Sequence, residues 1–518
     1  MFGLLTNRLV LVGVVSAIWI GWVLAPVAAV AADRPPNIVL FLIDDMGVMD
    51  TSVPFMTDAQ GGPVRHPLND FYRTPQMERL ARQGIRFNQF SAMSVCSPTR
   101  LAIMTGQNAA RHRTTNWINP DQNNAGPAGP PDWNWEGLKP GDLTLAALMR
   151  QAGYRTIHVG KGHFSPRHLP GADPSTLGFD VNIGGASIGA PGSYFANQRF
   201  GLDSRPDHAV PGLDKYHGTE LFLTEALTLA ACEQISSAVS ESKPFFLYFP
   251  HYAVHAPFQA DPRFVGNYEA SGKRPGARAF ASLVEGMDKS LGDVLDHLDR
   301  LGIADQTLIL FVGDNGSDAP LGHEHAIACA APLRGKKGSH YEGGTRVPFI
   351  AAWGKPDANR PAQQRMPIAV GVIQPQMANV CDLFPTVLQA AGIEPPAGHP
   401  VDGKPLTRLL AGGPDPEHSD EFLVHYPHAP HRSDYWTSYR KGDWKVVYHY
   451  LPEVPSAHGK RYQLFDLKND PSESDDKAPL DPDRLRQMMS GLVAKLDEYG
   501  ALYPVDPKTK AALKPQAP

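Results

Sequence analysis

The sequence predicts an α/β protein with a buried, parallel sheet, and three observations predict it. The first is a pair of unbroken apolar runs at strand length, NIVLFLI at residues 37–43 and TLILFV at 307–312. Both are continuous rather than alternating, as expected of strands covered on both faces. The second is what ends them. One stops at Asp44-Asp45-Met46-Gly47, the other at Gly313-Asp314-Asn315-Gly316. Open α/β sheets place their sites beyond the carboxyl ends of strands. Two such strands lying side by side could share one hard cation. The third is size: 518 residues with 42% hydrophobic composition suffice for one large core plus a smaller domain.

Two further strands follow the same plan with the opposite charge. Residues 154–159 run into Gly160-Lys161-Gly162-His163, and residues 244–249 run into Pro250-His251-Tyr252-Ala253-Val254-His255. A Gly-rich loop at 333–344, LRGKKGSHYEGG, carries Lys337 and leads into a strand expected at 347–353. Residues 279–301 read as a long amphipathic helix before the Asp314 strand.

Residues 96–106, CSPTRLAIMTG, place one thiol at the start of a helix with a cation four residues on. Pro98 suits a first helical turn, where a missing N–H costs nothing. The partial positive charge of a helix N-terminus favours an anion at Cys96. Arg100 lies one turn along, near enough to hold whatever group replaces the thiol.

Charge is balanced at a formal net of −5 with no basic stripe, which argues against nucleic-acid binding. The 49 prolines and 48 glycines imply many ordered loops. Arg8 precedes an uncharged stretch ending in APVAAVAA, so residues 1–32 read as a signal peptide, or an uncleaved anchor, and the protein as exported, periplasmic or secreted. Once cleaved, no stable membrane span is expected. Four cysteines, Cys96, Cys232, Cys329 and Cys381, indicate no disulfide framework.

The Cys96 pentad resembles the sulfatase signature Cys-x-Pro-Ser-Arg, with Thr99 in place of Ser. The resemblance covers nearly the whole mature chain. Residues 37–47 are similar to the family's first strand and acidic pair, and 74–81 (TPQMERLA) to its first helix. Asp314-Asn315-Gly316 and 335–344 resemble its late metal and lysine segments. Residues 381–386 (CDLFPT) and 441–445 (KGDWK) resemble a later helix and a C-terminal strand. One departure is Gly162, where the family often has tryptophan, so packing there is expected to differ.

The resemblance implies the alkaline-phosphatase-like fold: a large mixed, mostly parallel sheet sandwiched by helices over residues 33–400, then a smaller antiparallel α+β domain over 401–518. It implies oxidation of Cys96 to formylglycine by a separate maturation enzyme. It further implies one divalent cation, Ca²⁺ before Mg²⁺, held by Asp44, Asp45, Asp314, Asn315 and the matured residue 96. The hydrated aldehyde would attack the sulfur of an organic sulfate ester, aryl or carbohydrate, activated by the metal and Arg100. His255 or Lys337 would hold the sulfate and protonate the leaving alcohol. His163 would take a proton as the carbonyl reforms, and Lys161 would stabilise negative charge.

Two aromatic clusters could rim the pocket or pack between domains: Trp117, Trp133 and Trp135 in the loop 116–140, and the run His425, His428, His431, Tyr435 and Trp436. Alternative readings are a phosphonate or phosphodiester hydrolase of the same superfamily and an exported glycan-binding homologue without catalysis.

Overall fold

The computed structural model describes residues 1–3, 34–321, 329–428, 434–453, 457, 459–516 and 518. The signal segment expected at 1–32 and His431 fall almost entirely outside these residues. Residues 35–518 form one compact unit.

The strands of its first part are β1 (Asn37–Ile43), β2 (Ile85–Phe87), β3 (Phe90–Ser91), β4 (Arg155–Val159), β5 (Val181–Ile183), β6 (Phe245–Pro250), β7 (Thr307–Gly313), β8 (Phe349–Trp353), β9 (Val372–Gln374) and β10 (Ala378–Asn379). Eight of them make one sheet in the order β5-β4-β6-β1-β7-β8-β2-β9. All neighbours pair in parallel except β7–β8 and β8–β2, so β8 alone runs against the rest. The sheet is thus large, mixed and mostly parallel, as the resemblance implies.

The continuous apolar runs have the burial they predict. Val39, Phe41 and Ile43 of β1 belong to one core, and Ile38, Leu40 and Leu42 to the other. A strand with no polar side has two faces to bury. On one face lie the helices Leu223–Ser240 and Pro275–Arg300. On the other lie Cys96–Thr105, Leu145–Gln151 and Leu383–Ala391. The second of these groups carries the helix that begins at Cys96.

Register brings the strand ends level. Leu42 pairs with Pro250 of β6, and Ile43 with Gly313 of β7. Asp44, the segment after Pro250 and Asp314 therefore leave the sheet at one height.

The C-terminal part is a separate antiparallel sheet, β11 (Glu421–Tyr426), β12 (Trp436–Lys441), β13 (Trp444–His449) and β14 (Tyr462–Asp466), with the helix Pro482–Tyr499. Residues 441–445, similar to the family's C-terminal strand, hold the tight turn out of β12, where Gly442 takes a left-handed φ of 56°, and the start of the strand β13 at Trp444. A buried ion cluster ties this sheet to the first part. Glu342 meets Arg346 at 2.6 Å, Arg440 of β12 at 3.2 Å and Lys445 of β13 at 3.1 Å, and Lys445 meets Glu473 at 2.9 Å. Among the described residues, no helix is long and apolar enough to cross a membrane.

Candidate active site

The helix Cys96–Thr105 starts where an extended Val95 feeds the first turn, and ends at Gly106, whose left-handed φ of 71° lets its N–H close on Ala102. Every residue of this helix is buried. The Thr99 hydroxyl accepts the backbone N–H of Met93 at 3.0 Å. The bond needs the hydroxyl alone, so threonine serves where the family signature has serine.

Arg100 reaches the strand ends. Its Nε and Nη2 donate to Asp314 Oδ2 at 3.1 and 2.9 Å, and its Nη1 donates to the Lys161 carbonyl at 2.9 Å. Asp44 Oδ1 lies 3.6 Å from Nη2. Arg100 therefore locks the β7 end, the β4 loop and the Cys96 helix together.

The acids converge as the sequence predicts. One oxygen from each of Asp44, Asp45 and Asp314 can be chosen so that all lie within 4.8 Å of one another. Asp45 N–H donates to Asp314 Oδ1 at 3.0 Å, and Asn315 Nδ2 donates to Asp45 Oδ1 at 2.9 Å. Lys161 Nζ meets Asp44 Oδ2 at 2.6 Å, and Lys337 Nζ meets Asp45 Oδ1 at 2.6 Å. All four acid or amide residues, with Arg100 and Lys161, are 0% exposed. Two oxygens remain without a hydrogen-bond partner, Asp44 Oδ1 and Asn315 Oδ1. Orphaned buried oxygens beside three carboxylates are the donor set of a hard cation, and the residues present fit one.

Burial pushes the Asp314 carboxyl up, with Asp44 adding to it against Arg100, to about 6. Burial also raises Asp45, but Lys337, His255 and Lys161 outweigh it and hold that carboxyl well below the ordinary range. Burial lowers the Lys337 ammonium, yet Asp45 reverses this and the group is held above its usual value.

Two histidines complete the site. His163 Nε2 lies 2.7 Å from the Ile118 carbonyl, which can only accept, so Nε2 carries the hydrogen. Its Nδ1 lone pair then faces Cys96 Sγ at 3.3 Å. Burial, then Lys161, keeps His163 neutral. His255 donates from Nδ1 to the Ala256 carbonyl at 2.8 Å and turns Nε2 towards Asp45 Oδ2, 3.5 Å away. Burial, with Lys337, lowers it to about 4. Burial raises the Cys96 thiol. Asp45 and His163 both adopt left-handed φ, 62° and 59°. Such non-glycine conformations cost free energy and gather at functional sites.

Gly162 has a structural reason. A Cβ there would come within 2.9 Å of the Ala186 carbonyl, so the loop after β5 fills the space an aromatic side chain would need.

Cys96, His163, His255 and Lys337 line one cavity of about 300 Å³. Its outer wall comes from residues with no periodic or motif signal in the sequence, Arg205 and His208 among them, which only the folded loops reveal. Trp117 of the first aromatic cluster lines it too. Trp133 instead packs on His428 and donates to Asn123 at 2.8 Å. His425, His428, Tyr435 and Trp436 are buried in packing and are not among the residues lining that cavity.

The sulfatase family model matches residues 36–393. The chain belongs to the sulfatase family. It is 31% identical over 405 residues to the N-acetylgalactosamine-6-sulfatase of Mus musculus, covering 74% of this chain and 68% of that protein. It is 27% identical over 565 residues to the steryl-sulfatase of Mus musculus, covering 90% and 82%. Among solved structures, Ps i-CgsB superposes with a TM-score of 0.67 at 23% identity, covering 90% of this sulfatase and 93% of that chain. This sulfatase is a sulfuric ester hydrolase.

Proposed function

We propose that the enzyme is an exported sulfatase that releases inorganic sulfate from a sulfated sugar or aryl ester, using a formylglycine made from Cys96 by a separate maturation enzyme. The observation that carries this reading is the placement of Cys96 at a buried helix start, in one cavity with His163, His255 and Lys337. Its Arg100, one turn on, is bonded to Asp314. A formylglycine at this position supplies a hydrated carbonyl whose hydroxyl is the nucleophile towards sulfur.

Asp44, Asp45, Asp314 and Asn315 would hold one divalent cation, with residue 96 completing the set. The all-oxygen donors of the side chains favour Ca²⁺, then Mg²⁺, over zinc. Such an ion supplies Lewis-acid polarisation at the reacting oxygens.

The remaining roles follow from the side chains. His163 Nδ1 is the base that faces residue 96 and takes its proton. Lys161 and Lys337 bring positive charge to the buried acids and to the anionic ester. Lys337, whose ammonium is held above its usual value, lines the cavity beside His255, so it holds the sulfate and carries the proton for the leaving alcohol. Neutral His255, with its hydrogen on Nδ1, serves as donor only after taking a proton at Nε2. Arg100 acts through Asp314 and the Lys161 backbone, as the residue that fixes the strand ends.

The names of the relatives point to a sulfated amino sugar as the first substrate to try. The protein is expressed with and without a co-expressed formylglycine-generating enzyme, then assayed for sulfate release from nitrophenyl sulfate and N-acetylgalactosamine 6-sulfate. Turnover that depends on co-expression, with loss of the Cys96 thiol mass and gain of a hydrazide-reactive aldehyde, is expected. Equal turnover by protein whose Cys96 is still a thiol sinks the reading.

A further inference from the structure

The cavity that holds Cys96 extends to a cation with no part in the hydrolysis proposed above. Arg205 lies on an exposed turn before the short helix Pro206–His208 and lines the same cavity. It is braced: His208 Nδ1 lies 3.3 Å from the Ala190 carbonyl, which accepts only, so Nδ1 donates. His208 Nε2 is then left to accept from Arg205 Nη2. Burial, with Arg205 beside it, lowers His208, so the imidazole stays neutral and holds the guanidinium rather than repelling it.

The nearby acids are engaged elsewhere. Arg167 donates from Nε to Asp121 Oδ1 at 3.0 Å and from Nη2 to Asp207 Oδ2 at 3.0 Å. Asp207 Oδ2 also lies 3.7 Å from His208 Nε2. Among the described residues, no carboxylate forms an ion pair with Arg205. Trp117 and Pro120 line the cavity too and offer apolar surface to a sugar ring. The cavity thus brings together Cys96, apolar surface for a ring, and a guanidinium braced by His208 and paired with no described carboxylate, while the one carboxylate in its lining, Asp121, is taken by Arg167. Guanidinium groups pair planar or tetrahedral oxyanions through two parallel N–H donors.

We propose that Arg205 binds a second anionic group of the substrate, a carboxylate or a second sulfate, so that the enzyme prefers doubly anionic sulfated sugars. The proposal rests on the reading of the Cys96 cavity as a sulfate-ester site and adds a substrate class to it.

Matured wild type, Arg205→Gln and Arg205→Lys are assayed on four substrates. These are nitrophenyl sulfate, N-acetylgalactosamine 6-sulfate, a disulfated hexosamine and a disaccharide that joins a sulfated N-acetylhexosamine to a uronate. The kcat/KM preference for a two-anion over a one-anion substrate is expected to fall about tenfold in Arg205→Gln, with the loss in KM, and Arg205→Lys is expected to keep part of it. Whichever two-anion substrate loses more identifies the second anion as sulfate or carboxylate. A preference that is absent in wild type, or unchanged in Arg205→Gln, overturns the proposal while leaving sulfate hydrolysis standing. Failure of wild type to turn over any of the four overturns the sulfate-ester reading and this one with it.

Discussion

Lys337 Nζ sits 2.6 Å from one carboxylate oxygen of Asp45 and 2.7 Å from the other, although 292 residues separate them in the chain. Both side chains are buried. The lysine neutralises one acid of the cluster, and Lys161 another. Arg100 takes Asp314, but Asp44 Oδ1 and Asn315 Oδ1 still lack hydrogen-bond partners. The cluster is therefore short of donors on the side where a divalent ion would lie.

Ca²⁺ should accordingly stabilise the protein independently of catalysis. A ligand at 100 times its Kd that binds only the folded state adds about 2.7 kcal/mol. Thermal melts in Ca²⁺ and in EGTA are expected to differ by several degrees, and Asp44→Asn should shrink the difference. Identical melts in both conditions contradict the cation site.

Cys96→Ser keeps an oxygen nucleophile but cannot become an aldehyde. Loss of turnover by about 10³-fold or more is expected. A sulfate ester formed on the serine has no second hydroxyl to expel it, so mass spectrometry after substrate exposure should find the sulfated protein. Full activity in this variant refutes the formylglycine route.

Glu342→Gln removes one acid from a buried cluster of three cations. Burial raises the Glu342 carboxyl, but Lys445, Arg346 and Arg440 reverse this and hold it well below the ordinary range. The stabilisation this gives is present above the ordinary carboxylate pKa and is lost as pH falls towards the depressed one. Breaking such a cluster by removing one partner costs about 3–5 kcal/mol. Urea unfolding at pH 7 should show this loss, and a change under about 1 kcal/mol would mean the cluster is not what joins the two sheets.

Asp50 gives the opposite pH dependence. Burial lifts its carboxyl from 3.8 to about 7. Between those values the folded chain keeps a proton that the unfolded chain has released, so this group favours folding at acid pH and stops doing so as pH rises through about 7. A shift of this size is worth about 4 kcal/mol. Melting temperatures of wild type and Asp50→Asn from pH 4 to 8 should diverge at the alkaline end, with the variant relatively more stable. Parallel curves across that range would show that Asp50 titrates normally.

Much of the site is legible in the residues because its strands are covered on both faces. Such strands must be continuously apolar, so the polar residues that end them, Asp44 and Asp314, stand out in the chain. The Cys96 helix is legible for a similar reason, since Pro98 and the small and apolar residues after it leave little choice of local structure. The turn before the strand at Trp444 is not legible in the same way, because it depends on one left-handed glycine, Gly442, a local feature that an apolar-run reading passes over.

The residues alone were enough for the central strands β1, β4, β6 and β7, the helix start at Cys96 and the donor types at those strand ends, because these depend on local burial and backbone preference; the short strands β2, β5 and β9 carry no such pattern. The tertiary structure decided that Arg100 turns to Asp314, that Gly162 is crowded by Ala186, and that Arg205 and His208 share a cavity with Cys96. Those outcomes depend on loops folding over one another, and nothing in the spacing of residues along a chain encodes which loop covers which.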